Sequence, residues 1–344
     1  MSKKIKVGIN GCGRIGRSFL RLVAENDVID VVAVNDLGSL ENIAYLLKYD
    51  TAYGTCYLDV ETKDGNLVVD GKIIKFLNEK DPANLPWKEL GVDIVIESTG
   101  VFTSYEKSQA HIDAGAKKVI ITAPVKDEKG DSKIEGRTVL MGVNEDELKF
   151  CNISSNASCT TNAGSPVLEI LRNTVGIEKA MLNTVHGYTA SQKMVDSPNE
   201  KDFRKGRAGA QNIIPSTTGA AVATTKAIKE LENKFDGIAM RVPVISGSLL
   251  DITFISKKDT SVEEINSILE EASQDERWNG IFATTKEPIV SSDIIGNSFA
   301  SVTDLNFTRV VDGNLVKVLA WYDNEMGYTN TLIKHVLRVG ENLK

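Results

Sequence analysis

The chain has 344 residues, 42% hydrophobic and 25% charged, with a formal net charge of −7. That length suits two domains with a core each, and the composition is that of an ordinary globular protein. The acidic balance leaves no basic footprint for nucleic acid, and no apolar run nears the ~18 residues of a membrane span.

Met1-Ser2-Lys3-Lys4 leads straight into a strand with no apolar signal segment, so the expected location is cytoplasmic. Residues 5–9 read as that strand, 14–24 as a helix and 29–35 as a second strand. Between them Gly11, Gly13 and Gly16 form GxGxxG: the first allows the tight turn, the second lets a pyrophosphate approach, the third lets helix and strand pack closely. Asp36 ends the second strand, placed to bond adenosine ribose hydroxyls, and its charge disfavours a 2′-phosphate, which favours NAD over NADP. A glycine-rich turn beside a helix-capping Asp36 is the bland alternative. Residues 67–76 read as a hairpin turning at Asp70-Gly71, and 92–97, 117–122 and 138–143 as further apolar strands. Such strands joined by helices predict an α/β, doubly wound parallel sheet over the first 150 residues.

After Cys159 the pattern changes. Strands are expected at 180–185, 237–243, 249–255, 299–305 and 315–322, with a hairpin at Asp312-Gly313, so an α+β domain with a mostly antiparallel sheet follows. Helices are expected over 218–232 and 262–273, and a last one over 328–339 with Gly340 as its stop. Residues 188–215 lack apolar periodicity and read as a long functional loop. The expected division is a dinucleotide-binding domain over 1–158 and a catalytic domain over 159–324, with helix 325–344 packing back on the first. The reactive cysteine then falls at the domain boundary.

The four cysteines are Cys12, Cys56, Cys151 and Cys159, and their spacing fits neither a zinc site nor a CxxC pair. No metal is expected. Three of them read as packed small hydrophobes. Cys159 differs, because Asn156-Ala157-Ser158-Cys159-Thr160-Thr161-Asn162 places it in the first turn of a helix, where free N–H groups favour a thiolate. Of three histidines, His186 interrupts a strand and could serve as its base, whereas His111 and His335 are poor candidates. Taken singly, Cys159 is more often an inert buried thiol and His186 more often a satisfied core histidine. Joined to a dinucleotide site they point to aldehyde oxidation through an acyl-enzyme. Arg241, inside an apolar run, is a phosphate ligand or a strand-edge arginine with its head in solvent. Ser216-Thr217-Thr218-Gly219 is an anion site or an ordinary N-cap, and Lys201, Arg204, Lys205 and Arg207 guide an anion or form a solvated face.

These motifs together resemble the phosphorylating glyceraldehyde-3-phosphate dehydrogenases from end to end. The resemblance rests on Asn10 to Arg17, Glu97-Ser98-Thr99-Gly100, Ser155 to Asn162, Thr184-Val185-His186, Arg207 to Gly219, Met240-Arg241-Val242-Pro243 and Trp321-Tyr322-Asp323-Asn324-Glu325. It implies a Rossmann domain that binds NAD, with Cys159 as nucleophile and His186 as base. Asn10, Gly11, Gly13, Arg14, Ile15, Gly16, Asp36 and Thr122 would contact the cofactor, and Asn324 would hold the nicotinamide carboxamide. Thr189 and Arg241 would take the substrate's own phosphate, and Ser158, Thr160, Thr218 and Gly219 the attacking inorganic phosphate. Leu37 and Pro198 match the NAD-preferring pattern. The loop 188–215 would reach a neighbouring subunit's cofactor, which implies a homotetramer. Erythrose-4-phosphate dehydrogenase is the alternative, a branch that departs at the Thr-Gly pair present here as Thr218-Gly219. Cys12 replaces a usual aromatic, Ala163-Gly164-Ser165 stands where Cys-Leu-Ala is frequent, and Ser191 replaces a different polar residue.

Overall fold

The computed structural model describes residues 4–125, 134–200 and 202–343. Met1-Ser2-Lys3 at the start, Lys201 of the basic cluster and Lys344 at the end of the expected last helix lie outside the described residues. The elements run β1 (Ile5–Asn10), α1 (Arg14–Val23), β2 (Ile29–Asn35), α2 (Leu40–Lys48), β3 (Tyr49–Asp50), β4 (Gly54–Thr55), β5 (Val60–Lys63), β6 (Asn66–Val69), β7 (Lys72–Leu77), α3 (Trp87–Leu90), β8 (Ile94–Glu97), α4 (Tyr105–Asp113), β9 (Lys118–Ile121), β10 (Gly136–Thr138) and β11 (Ile153–Ser155). They continue with α5 (Cys159–Thr174), β12 (Ile177–Gly187), β13 (Ile214–Thr217), α6 (Ala220–Ala227), β14 (Phe235–Val242), β15 (Ser248–Ser256), α7 (Val262–Ser273), β16 (Phe282–Thr285), β17 (Ser301–Val311), β18 (Leu315–Tyr322) and α8 (Met326–Glu341). Two compact units result, Met1–Ala157 with Thr329–Lys344, and Ser158–Tyr328.

The first unit is built on a nine-stranded sheet in the order β10-β11-β9-β8-β1-β2-β7-β6-β5. From β10 to β7 every pair is parallel, and β6 and β5 extend the edge antiparallel. Val7, Ile9, Ile94, Val95, Ile96 and Val119 are fully buried, as strands covered on both faces require. The chain steps from β1 to β2 on one side and returns to β8 on the other. The carboxyl ends of β1 and β8 therefore form a topological switch point, where such sheets bind ligands. The expected hairpin turns at Asp70 (φ 47°) and Gly71 (φ 74°), both left-handed as a two-residue turn of this kind needs.

Two expectations give way here. Residues 138–143 do not form a strand: β10 ends at Thr138, and Asn144 then builds a turn, its Oδ1 accepting the Leu140 N–H at 2.9 Å and its Nδ2 donating to the Thr138 carbonyl at 3.0 Å. Gly340 does not stop the last helix, which runs through it to Glu341. A Cβ there would collide with Ile5 Cδ1, so this glycine serves a close helix–strand approach.

The second unit carries a seven-stranded sheet in the order β13-β14-β12-β15-β18-β17-β16. It is mixed but mainly antiparallel, with β12–β14 and β16–β17 the parallel pairs. Helices α5, α6 and α7 pack on it. Burial alternates strictly along β15 and β18, so one face is core and the other open. Asp312 (φ 49°) and Gly313 (φ 74°) make the expected hairpin between β17 and β18. The helix expected over 218–232 is shorter: Ile228 leaves it at φ −114°, ψ 83°, burying its side chain, and a 3-10 turn follows at Lys229–Leu231. Residues 188–213 hold only a 3-10 turn at Phe203–Gly206 and an isolated bridge between Lys193 and Ala208 among the described residues.

Candidate active site

Ser158 caps α5. Its Oγ accepts the Thr161 N–H at 3.1 Å and lies 2.7 Å from Thr161 Oγ1. Cys159 is thereby the first residue of a helix of 16, beside N–H groups that no helical carbonyl satisfies. Three cysteines are buried as expected, and Cys159 alone is part-exposed.

The register of β12 with β14 pairs His186 directly with Arg241. His186 Nε2 lies 3.4 Å from Cys159 Sγ, its Nδ1 is 2.7 Å from the Gly187 carbonyl oxygen, and Arg241 Nη1 is 2.6 Å from that same Nδ1. Arg241 Nη1 also donates to the Gly187 carbonyl at 3.1 Å, so the guanidinium turns inward and not to solvent. Behind them stands buried Tyr322, whose hydroxyl is 2.9 Å from Thr160 Oγ1 and 2.7 Å from Thr184 Oγ1. Its ring meets the His186 ring edge-on with centroids 5.9 Å apart.

Burial pushes the Cys159 thiol up, against the pull of the Arg241 charge and the Thr160 hydroxyl. Burial, with the same Arg241 charge, pushes His186 down to about 3, and the Gly187 carbonyl opposes this weakly. With Sγ and Nε2 3.4 Å apart, the imidazole stands within reach of the thiol proton.

The remaining expected ligands sit on neighbouring elements of this unit. Thr189 donates its N–H to Gln192 Oε1 at 2.9 Å, and its hydroxyl is 2.9 Å from Ser191 Oγ. Thr218 Oγ1 accepts the Ala220 N–H at 3.1 Å, while the N-cap position of α6 is Gly219, with no capping side chain. Asn324 is buried, and its Oδ1 accepts from Ser248 Oγ at 2.8 Å and Ser246 Oγ at 3.3 Å, which leaves the Nδ2 amide as the group it can offer.

The dinucleotide motif gathers at the β1–α1 turn of the first unit. Gly11 takes φ +96°, where a Cβ would sit 2.6 Å from the Thr99 nitrogen, and a Cβ on Gly16 would strike the Gly11 carbonyl. At Gly13 a Cβ would meet nothing within 4 Å, and no side chain caps α1 there. A pyrophosphate can reach these N–H groups, so the residues fit a dinucleotide. Asp36 faces the turn, Oδ2 accepting the Cys12 N–H at 2.7 Å and Oδ1 the Gly38 N–H at 2.8 Å. Arg14 pairs with Asp50 and lies over the Tyr53 ring, with Ile15 half-buried beside it. Thr122 bonds the Glu97 carbonyl through its N–H and hydroxyl. Asn10 is buried with its amide engaged, Nδ2 donating to Glu97 Oε2 at 2.6 Å and Oδ1 accepting from Asn35 at 2.7 Å, so it supports the turn from below.

Sequence reasoning passed over four supports. Tyr322 could have been found, since it stands two residues before Asn324. His111, set aside on a polar helix, is buried and bonds Glu97. Ser246 and Ser248 carried no signal, as serines near a strand start are common.

Comparison with known proteins follows this division. Residues 5–105 match the NAD binding domain, and residues 158–324 the C-terminal domain, of glyceraldehyde 3-phosphate dehydrogenase. The chain is 47% identical over 342 residues to a glyceraldehyde-3-phosphate dehydrogenase of Streptomyces coelicolor, covering 98% of this chain and 99% of that protein. It is 50% identical over 331 residues to one of Thermotoga maritima, covering 95% and 97%. One of Geobacillus stearothermophilus is 47% identical over 331 residues, covering 96% of each. With its NAD-binding turn and its cysteine–histidine pair in place, the chain belongs to the glyceraldehyde-3-phosphate dehydrogenase family.

Proposed function

We propose that this chain converts D-glyceraldehyde 3-phosphate, NAD and inorganic phosphate into 1,3-bisphosphoglycerate through a thioester on Cys159. The observation that carries the reading is the 3.4 Å approach of Cys159 Sγ to His186 Nε2 in a chain of this family. His186 takes the thiol proton as sulfur adds to the aldehyde carbon, and returns it to the oxygen of the thiohemiacetal. Bound NAD supplies the hydride acceptor, and Asn324 Nδ2 is the donor offered to its carboxamide. His186 removes the hydroxyl proton again as the thioester forms. Arg241 and Thr189 hold the substrate's phosphate. Ser158, Thr160, Thr218 and Gly219 receive the inorganic phosphate that displaces Cys159 sulfur. General base action of this kind contributes about 10²–10⁴-fold.

Erythrose-4-phosphate dehydrogenase is the less favoured reading, because Thr218-Gly219 is intact. NADH formation with each aldehyde phosphate, with and without inorganic phosphate or arsenate, separates the two. Strict dependence on the inorganic anion with the triose supports the first; turnover with the tetrose alone, independent of the anion, overturns it.

A homotetramer is part of the reading. The open face of the second sheet presents Met181 (57% exposed), Ile238 (48%) and Leu315 (41%), and the loop presents Met194 (89%) and Phe203 (84%). Apolar surface of this extent is what self-association covers. Sedimentation at micromolar concentration gives the mass directly. No helix among the described residues is long and apolar enough to cross a membrane, and cytoplasmic residence is part of the same proposal.

A further inference from the structure

Ser248 opens β15, the strand that lies between β12, which carries His186, and β18, which leads into Asn324. It is fully buried, and its Oγ meets two groups, the Gly187 N–H at 3.2 Å and Asn324 Oδ1 at 2.8 Å. A backbone N–H only donates, so the first contact takes a lone pair of the hydroxyl and leaves its one proton to give. Asn324 Oδ1 receives that proton. Were the amide turned over, Nδ2 would bring a second donor to Ser248, and the hydroxyl proton would have no acceptor among the described residues. Buried donors are seldom left in that state. Ser246 also reaches the Asn324 oxygen, at 3.3 Å, but its own proton has a nearer and charged acceptor in Asp323 Oδ1 at 2.9 Å.

The anchor on the other side of Ser248 is firm. The Gly187 carbonyl accepts from Arg241 Nη1 at 3.1 Å, and a Cβ on Gly187 would sit 2.9 Å from the Val244 carbonyl oxygen, so its peptide is closely held. One hydroxyl therefore ties the backbone next to His186 to the Asn324 amide. A carboxamide such as that of nicotinamide offers an oxygen and an NH₂, and only a donor on the protein selects the oxygen.

We infer that Ser248 is a positioning residue that fixes which end of the Asn324 amide is offered to the nicotinamide, presenting Nδ2 to the carboxamide oxygen. Without the hydroxyl both orientations of the Asn324 amide are open, and one of them sets Oδ1 against that oxygen. Ser248 thus acts on the cofactor only through Asn324. This inference rests on Asn324 as the residue that holds the carboxamide.

The test is calorimetric titration of the cofactor-free protein with NAD and with ADP-ribose, which lacks the nicotinamide. The ratio of the two dissociation constants reads the nicotinamide's share of binding. Ser248→Ala is expected to weaken NAD about fivefold to tenfold and to keep ADP-ribose within about twofold, which also shows that the variant is folded. In an Asn324→Ala background the same change should have no further effect, a coupling that a merely structural role would not produce. Ser248→Cys is close in size and a weaker donor. It covers the case in which the alanine variant does not fold, and should move the ratio in the same direction. A ratio lowered by Asn324→Ala but by neither Ser248 variant overturns the positioning role alone, as do equal losses from Ser248→Ala in both backgrounds. A ratio unaltered by Asn324→Ala overturns the reading beneath it.

Discussion

The backbone N–H of Cys12 donates to Asp36 Oδ2 at 2.7 Å, so the carboxylate expected to meet a ribose also clamps the glycine turn to the end of β2. Its other oxygen takes the Gly38 N–H at 2.8 Å. Hydrogen bonds to a charged group contribute about 1.5–3 kcal/mol each. Asp36→Ala therefore loosens the turn as well as removing the charge that repels a 2′-phosphate. The expected outcome is a KM for NAD raised about tenfold or more, with no compensating rise in kcat/KM for NADP. Asp36→Asn, which keeps one acceptor, should fall between. A variant with wild-type KM for NAD and efficient NADP turnover would show that the clamp is dispensable.

Glu97 lies under the same turn and accepts from four donors. Asn10 Nδ2 and His111 Nε2 reach one oxygen at 2.6 and 3.1 Å, and the Thr99 N–H reaches the other at 2.9 Å together with the Thr99 hydroxyl. All but the threonine are buried. Glu97→Ala leaves these donors with no acceptor, at a cost of about 1–3 kcal/mol for each buried one. Glu97→Gln turns an amide NH₂ toward donors and should cost about 1–3 kcal/mol. Urea midpoints at unchanged m-value measure both. Equal stability of Glu97→Ala and wild type would mean the network is ornamental.

Cys159→Ser keeps the helix cap, since Ser158 makes it, but gives His186 a far weaker nucleophile to activate. NADH bursts should vanish while NAD affinity, carried by the β1–α1 turn, stays within twofold. His186→Asn should slow the burst about 10²–10⁴-fold and leave the same affinity intact. A normal burst from Cys159→Ser ends the covalent route.

Much of this was legible in the residues because it is local. A GxGxxG between a strand and a helix, Asp-Gly at two hairpins and a cysteine behind a capping serine each carry their geometry within a few positions. What escaped was made by distant pairing. That the Asn10 amide bonds buried Glu97 follows only from the parallel register of β1 with β8. Arg241 could be read two ways until the β12–β14 register placed it beside His186. Gly340 looked like a helix stop because a glycine near a helix end usually is, and only its approach to Ile5 shows otherwise.

His186 and His335 are both buried, and burial pushes each down to about 3 from the 6.5 of a free histidine. The folded state therefore favours the neutral ring. Above pH 6.5 the ring is neutral in both states and the contribution is complete. Below that the unfolded chain binds protons that the folded one refuses, so stability falls as pH drops from 6.5 toward 3. The slope approaches about 1.4 kcal/mol per pH unit for each histidine. His335→Gln, which loses the bond to Ser154 Oγ at 2.9 Å in some measure, should be less stable than wild type at pH 8 but show a shallower acid limb. Identical limbs in denaturant titrations from pH 7 to 4 would mean that other groups govern acid lability.

Gly340 and Ile5 set two local rules against each other. Within an α-helix, Gly→Ala gains about 1 kcal/mol in helix propensity. Here the added methyl collides with Ile5 Cδ1 and sits 2.9 Å from its Cγ1. Overpacking of this kind costs about 1–3 kcal/mol, so packing wins and Gly340→Ala should destabilise. In an Ile5→Ala background both offending carbons are gone, and the same change should become stabilising by up to the full propensity gain. The double-mutant cycle isolates the contact, and its coupling energy should be about 1–3 kcal/mol. Additive effects, with Gly340→Ala acting alike in both backgrounds, would show that α8 does not press on β1 as the structure has it.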